Sequence, residues 1–359
     1  MDTTGDHELA LTLDDTGPAE QRLRVRTPAD LVIAVPYLLG FHPRDSLVLV
    51  GMRGGPGRRV ELTARVDLPP RAHGPVVAAE LAEVLAGQGC SEVVAVVVGG
   101  GRARRPRADL VQALRRCCGP RGLRVVDAVW VPEVAVGVPW RCYGPCGCEG
   151  VLADPAGSPV AAAAVVAGQV TYPDRRDLER LVAPVDAAAV GRRSRALDAW
   201  CDREGRRDDP VAEGPVESFA LVRSWVRRAA EGTPALGDED VVALCVALCD
   251  PMVRDAAFGL ATGPDRAGAE RLWTALVREA PDPEAAEPAV LLAHCAMLRG
   301  HGALMGIALD RAERAWPGHR LAVLFRCAVD DGLGVTDLAA WLAEGAAEAA
   351  ELLRRRTAR

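Results

Sequence analysis

Three groups of residues in this chain have the types and spacing to do chemistry. His42, Asp45 and Ser46 stand together in Phe41-His42-Pro43-Arg44-Asp45-Ser46. An imidazole can act as a general base and a hydroxyl as a nucleophile, the pairing that hydrolases use. The chain has no G-x-S-x-G elbow, however, and the i, i+3, i+4 spacing sets no hydrogen-bond geometry by itself. The same residue types also build a corner, with Phe41 in the core, Pro43 fixing φ, and Asp45 or Ser46 bonding local backbone. The second group is Gly99-Gly100-Gly101-Arg102, with Arg104, Arg105 and Arg107 behind it. It follows an apolar run and leads towards a helix, where backbone N–H groups can cradle a phosphate. It lacks the G-x-G-x-x-G spacing, and a solvated Gly/Arg loop is the competing reading. The third group is Cys142-x3-Cys146-x-Cys148 in a Gly/Pro stretch. Zinc would need a fourth ligand from Cys117, Cys118 or a histidine; a thiol–disulfide pair or incidental cysteines are the alternatives.

Composition excludes whole classes of chemistry. There is no Lys and no Asn; all 43 cationic residues are Arg, and Ile occurs only at Ile33 and Ile307. Those three residues have AT-rich codons, which points to a high-GC bacterium such as one of the actinobacteria. Without Lys there is no P-loop lysine, no Schiff base and no lysine-dependent kinase chemistry. Without Asn there is no Cys-His-Asn protease. The net charge of −6 argues against nucleic acid or an anionic membrane as partner. Apolar runs reach only about ten residues, too short to cross a bilayer, and Met1–Glu20 lacks the basic start and apolar core of a secretory signal. A cytoplasmic location follows as an expectation, with the 11 cysteines reduced.

These groups must be held by elements. Residues 1–22 read as a polar tail and 23–185 as an α/β domain. In it, Thr27-Pro28 starts a helix that ends at Gly40. Ser46–Met52 is a buried strand, and Arg59–Leu68 alternates as its hairpin partner. Val76–Leu85 and Ala108–Cys118 are helices, Glu92–Val98 and Arg124–Val131 strands, Pro139–Tyr143 a last edge strand, and 159–168 an Ala-rich helix. A hairpin followed by β-α-β units implies a mixed sheet with helices packed on it. Residues 186–215 read as a linker region, most linker-like at 203–214, and 216–359 as an all-α domain with Pro251 kinking or splitting one helix. Ala308, Ala312 and Pro317 have tetratricopeptide-like offsets, but one such unit cannot make a solenoid, so a helical bundle is expected.

Pro28-Ala29-Asp30-Leu31, Leu38-Leu39-Gly40-Phe41-His42-Pro43 and Asp45-Ser46-Leu47-Val48 resemble an uncharacterised actinobacterial family known as a domain of unknown function. The likeness continues through Ser158–Ala162, Gly168 and Pro184 to Gly302–Leu304, Ala308–Ala312, Pro317 and Arg320–Ala322. It fails at Trp140–Cys148, where members carry a Ser-Tyr-x-Cys run and an adjacent cysteine pair. The resemblance implies no activity, and no catalytic constellation is complete. The expectation is therefore a non-enzymatic module that binds or regulates a protein partner, without a cofactor unless the cysteines hold zinc. The alternative is a hydrolase or phosphate-ligand enzyme with its site near His42, Asp45, Ser46 and the Gly99–Gly101 loop.

Overall fold

The computed structural model describes residues 9–12, 22–25, 27–54, 59–101, 104–166, 170–204, 214–330 and 335–357. The chain divides into two compact units, the first ending at Asp177 and the second beginning at Leu178.

In the first unit, β1 (Leu9–Thr12) and β2 (Arg22–Val25) form a two-stranded antiparallel sheet, with Leu9 opposite Val25. The segment 1–22 is therefore not a tail throughout: Leu9-Ala10-Leu11 supplies a strand inside an acidic stretch whose average composition hides it. Helix α1 (Pro28–Leu39) follows. The Thr27 hydroxyl accepts from the Asp30 amide while the Asp30 carboxylate accepts from the Thr27 amide, a reciprocal cap. Gly40, at φ 76°, ends the helix in the left-handed conformation that glycine adopts without penalty.

The main sheet has six strands in the order β4-β3-β5-β6-β7-β8. Strands β3 (Ser46–Arg53) and β4 (Arg59–Asp67) are an antiparallel pair, and β3 also runs antiparallel to β5 (Glu92–Val98). Between β4 and β5 lies α2 (Gly74–Gly87). Strands β5 and β6 (Arg124–Val131) are parallel, connected through α3 (Ala108–Cys118). Period-two alternation splits the β-branched runs between two faces. Leu47, Leu49, Val93, Ala95 and Val97 pack in one core with Ala82, Leu85, Leu110 and Leu114 of α2 and α3. On β5 all seven residues are buried, as a central strand with cover on both faces requires. Beyond β6 come β7 (Pro139–Cys142) and then β8 (Glu149–Val151), both antiparallel. The expected edge strand at 139–143 is thus not the edge; the loop doubles back to add β8, three residues too short to carry any periodicity. Helix α4 (Pro159–Val166) packs against α1.

Among the described residues, no strand follows β8. Helix α5 (Arg175–Glu179) falls at the division between the units. The second unit contains α6 (Ala187–Glu204), α7 (Pro215–Glu231), α8 (Asp238–Cys249), α9 (Pro251–Phe258), α10 (Arg266–Glu279), α11 (Ala286–Leu298), α12 (Gly302–Ala315), α13 (Arg320–Asp330) and α14 (Val335–Thr357). The architecture is α/β followed by all-α. The region 186–215 opens with α6, which packs on α8; residues 205–213 lie outside the described residues. Pro251 splits its helix as its missing N–H dictates, and Asp250 caps the second half through the Met252 amide at 2.7 Å. Every residue of α11 from Ala286 to Met297 is buried, and α8, α9, α10, α12 and α14 all touch it. A helix apolar around its circumference must lie at the centre of a bundle.

Candidate functional site

His42, Arg44, Asp45, Gly99, Glu133 and Thr171 line a cleft of about 520 Å³ in the first unit. It lies beyond the carboxyl ends of the parallel pair β5 and β6, where open α/β sheets place ligands. His42 is held there from both sides. Its amide donates to the Tyr172 carbonyl at 3.0 Å, and the Tyr172 amide donates to Gly40 at 2.8 Å. Its ring bonds the Val134 backbone. The ring is half-buried; desolvation, helped by the charge of Arg44, lowers its pKa below the usual histidine value despite the Val134 bond. His42 is therefore neutral at pH 7 and able to accept a proton. Phe41, the preceding residue, is buried.

The other residues singled out in the sequence have local partners. Asp45 sits at φ 40° and accepts the Gly100 amide at 3.1 Å, while its own carbonyl accepts from Leu68 at 2.8 Å. Ser46 is buried and does not line the cleft; its hydroxyl donates to the Arg44 carbonyl at 2.6 Å and accepts from Arg65 Nε at 2.9 Å. That hydroxyl has neither the exposure nor the base a nucleophile needs. Gly99, Gly100 and Gly101 have φ of 77°, 81° and 109°. The Gly99 amide donates to Val131 at 2.9 Å and the Gly100 amide to Asp45, so an internal carboxylate occupies the place of a phosphate oxygen at this loop. Gly99 could hold no side chain: a Cβ there would stand 2.5 Å from Asp45 Oδ1 and 3.2 Å from its Cα. Arg102 lies outside the described residues.

Cys142 ends β7, and Cys146 and Cys148 lie in the turn that leads to β8. The Cys142 thiol donates to Asp127 at 3.5 Å and accepts from the Gly144 amide at 3.1 Å. Among the described residues, no three His, Cys, Asp or Glu side chains are arranged to hold a metal ion. Cys118, one suggested fourth ligand, is the last residue of α3 and is buried in the core.

A second concave surface was not foreseen from sequence. In the helical unit, Trp316, Trp341, Leu321, Leu324, His319 and Arg320 line a groove of about 520 Å³. Trp316 and Trp341 are 48% and 55% exposed, and Leu324 is exposed beside them. Beneath the groove, Glu287 Oε1 meets His319 Nε2 at 3.2 Å and Arg254 Nη1 at 3.5 Å. The Ala322 amide donates to His319 Nδ1 at 3.4 Å, which leaves Nε2 to carry the proton towards Glu287. The floor thus holds a buried carboxylate paired through Oε1 alone, its Oε2 without a hydrogen-bond partner, while the walls are exposed aromatic surface. Seven tryptophans in 359 residues were visible, but which two stay exposed depends on packing. His301 is a helix cap, its Nδ1 accepting from Leu304 at 3.2 Å. No helix among the described residues is long and apolar enough to cross a membrane.

The fold and these sites describe a two-unit protein, a mixed α/β sheet followed by a helical bundle, with a polar cleft in the one and an aromatic groove in the other. Residues 28–334 match the family described as "Domain of unknown function (DUF4192)", and the chain belongs to that family. No curated protein and no solved structure matches it.

Proposed function

We propose that the protein is a non-enzymatic binding module whose helical unit docks a segment of a partner protein in the Trp316–Trp341 groove. The observation that supports this reading is the pair of half-exposed tryptophans walling one apolar groove. Aromatic residues that remain solvated in a monomer and share a concavity are the residue type and setting of binding hot spots. The charge pattern selects the occupant. Arg320 is exposed at the groove and has no ion-pair partner among the described residues, whereas Glu287 is already paired with Arg254 and His319. The matching segment is apolar and carries a carboxylate.

Selection of a random peptide library on the full chain is expected to enrich sequences with an apolar anchor next to Asp or Glu. Replacing both Trp316 and Trp341 by alanine is expected to weaken the selected peptides about 1,000-fold, the loss of two hot-spot contacts. Thermal stability should change little, because both rings are about half in water already. No enrichment, or peptides indifferent to the double substitution, would refute the docking groove.

The His42 cleft supports a second reading, a small polar ligand or substrate held where a neutral imidazole can take a proton. The specific observation is that His42 is fixed by backbone bonds yet lines open space at the strand ends. His42→Ala is expected to lower stability by about 1 kcal/mol, the worth of one hydrogen bond, or a few degrees in Tm. Fragments that raise the wild-type melting temperature through this cleft should lose that effect in His42→Ala. A much larger fall in Tm, with fragment binding intact, would show that the histidine only builds the corner.

A further inference from the structure

Strand β3 runs antiparallel to both β4 and β5, and β6 runs parallel to β5, so β4, β5 and β6 all point the same way. Helix α2 follows β4 and α3 follows β5, and the two helices pack side by side on one face of the sheet. Their N-termini therefore lie together at the carboxyl ends of these strands, where open α/β sheets place ligands. Neither helix start has a side-chain cap. The Ala108 and Asp109 amides of α3 make no hydrogen bond among the described residues. Two such starts gather partial positive charge in one place, a setting that favours anions and disfavours cations.

A cation nevertheless sits there. Arg107, the residue before α3, is 8% exposed, and its Nε and Nη2 are buried without a hydrogen-bond partner. Its Nη2 lies 3.9 Å from where a Cβ on Gly74, the first residue of α2, would stand. Its Nε lies 3.7 Å from Asp109 Oδ1 in the first turn of α3, beyond hydrogen-bonding distance. The guanidinium is thus held between the two helix starts. Gly100 makes room for its stem, since a Cβ there would come 3.1 Å from Arg107 Cγ. A buried guanidinium with unmet donors is destabilising until an acceptor reaches it. Arg104 and Arg105, just ahead in the chain, are exposed and make no ion pair among the described residues. In a chain of net charge −6, this concentration of positive charge runs against the whole.

We propose that Arg107 and the starts of α2 and α3 form a binding site for the phosphate group of a small-molecule ligand. The guanidinium and the free Ala108 and Asp109 amides supply donors for its oxygens, and Arg104 and Arg105 add charge at the rim. The site is separate from the Gly99–Gly101 loop, whose Gly100 amide already serves Asp45, and it does not depend on the tryptophan groove. Asp109 is the competitor, because its carboxylate is the negative charge that phosphate replaces beside Arg107.

Calorimetric titration of the full chain at low ionic strength with inorganic phosphate, glycerol phosphate and acetate tests this. Phosphate and its ester are expected to bind one per chain with a Kd of about 1 mM or below, and acetate about tenfold more weakly. Arg107→Met should weaken phosphate about tenfold without lowering the melting temperature, since it removes a buried cation that lacks hydrogen bonds. Asp109→Asn should tighten phosphate. The surface double variant Arg104→Ser/Arg105→Ser should weaken it about threefold, and reads the same site even if Arg107→Met does not fold. Arg115→Gln/Arg116→Gln makes the same change of charge at the far end of α3 and should leave binding unchanged. No phosphate binding below about 10 mM, acetate as tight as phosphate, or exclusion of the ester where inorganic phosphate binds would each overturn the proposal. So would full phosphate affinity in a folded Arg107→Met protein, or an equal loss in Arg115→Gln/Arg116→Gln.

Discussion

Gly268→Ala is expected to destabilise the helical unit by about 3 kcal/mol, at the severe end of what an added methyl costs in a packed interface. Gly268 lies in α10 where that helix crosses α7. A Cβ there would stand 2.2 Å from the Val226 carbonyl oxygen and 3.1 Å from the Ala230 nitrogen. Both are backbone atoms, so no rotamer change can relieve the contact and the helices must separate. Separation would loosen Leu272, Trp273 and Leu276, all wholly buried, and Val222, Trp225 and Val226 on α7. It would also pull Arg271 Nη1 from the Ala230 carbonyl it holds at 2.8 Å near the end of α7. Gly345→Ala provides the control. That glycine is exposed within α14 with nothing within 4 Å of a Cβ, so alanine there should stabilise by about 0.5–1 kcal/mol through helix propensity alone. Urea denaturation reads both. A Gly268→Ala protein within 1 kcal/mol of wild type would mean that α7 and α10 do not cross at this residue.

The second large effect is on pH. His294 is buried in the centre of α11, edge-on to Phe258 at 5.1 Å and Phe325 at 6.4 Å between ring centroids. Its Nδ1 has no hydrogen-bond partner, and burial alone lowers its pKa to about 4. The unfolded chain binds a proton at this residue near pH 6.5, whereas the folded chain resists it until about pH 4. Stability linked to His294 is therefore complete above pH 6.5 and is lost as pH falls through that window. By pH 4 the loss approaches about 3 kcal/mol, since each pH unit between the two values costs about 1.4 kcal/mol. His301 acts in the same direction, also by burial, while burial raises Glu284 and so works in the opposite sense. His294→Phe should flatten most of the dependence between pH 6.5 and 4 and leave stability at pH 7.5 nearly unchanged. A variant with the same acid sensitivity as wild type would place the proton uptake elsewhere.

Much of this protein follows from residue pattern alone. The capped start at Thr27-Pro28, the stop at Gly40, the hairpin alternation of Arg59–Leu68, the seven-residue buried run Glu92–Val98 and the break at Pro251 are all local, because periodicity, capping and backbone restriction act within a few residues. Strands β1 and β8 escaped because three or four residues cannot show a period, and their pairing is decided by the partner strand. The site residues divide in the same way. The sequence placed His42, Asp45, Ser46 and Gly99 near the strand ends but could not say which way each side chain turned. Tertiary structure sent the Ser46 hydroxyl to Arg44 and Arg65, spent Asp45 on the Gly100 amide, and left His42 at the cleft with Glu133 and Thr171, residues more than 85 positions away.

The sequence by itself determined what this chain cannot do, since a chain with no lysine has no lysine chemistry in any fold, and it determined the longer strands and helices, whose periodicity and caps are local. Only the tertiary structure decided which surfaces are left over. Trp273, within α10, and Trp316, just past the end of α12, are the same residue type in one helical unit, yet one is wholly buried and the other half in water. Exposure is a property of long-range packing, in which each residue's surroundings come from distant parts of the chain, and local pattern carries no record of it.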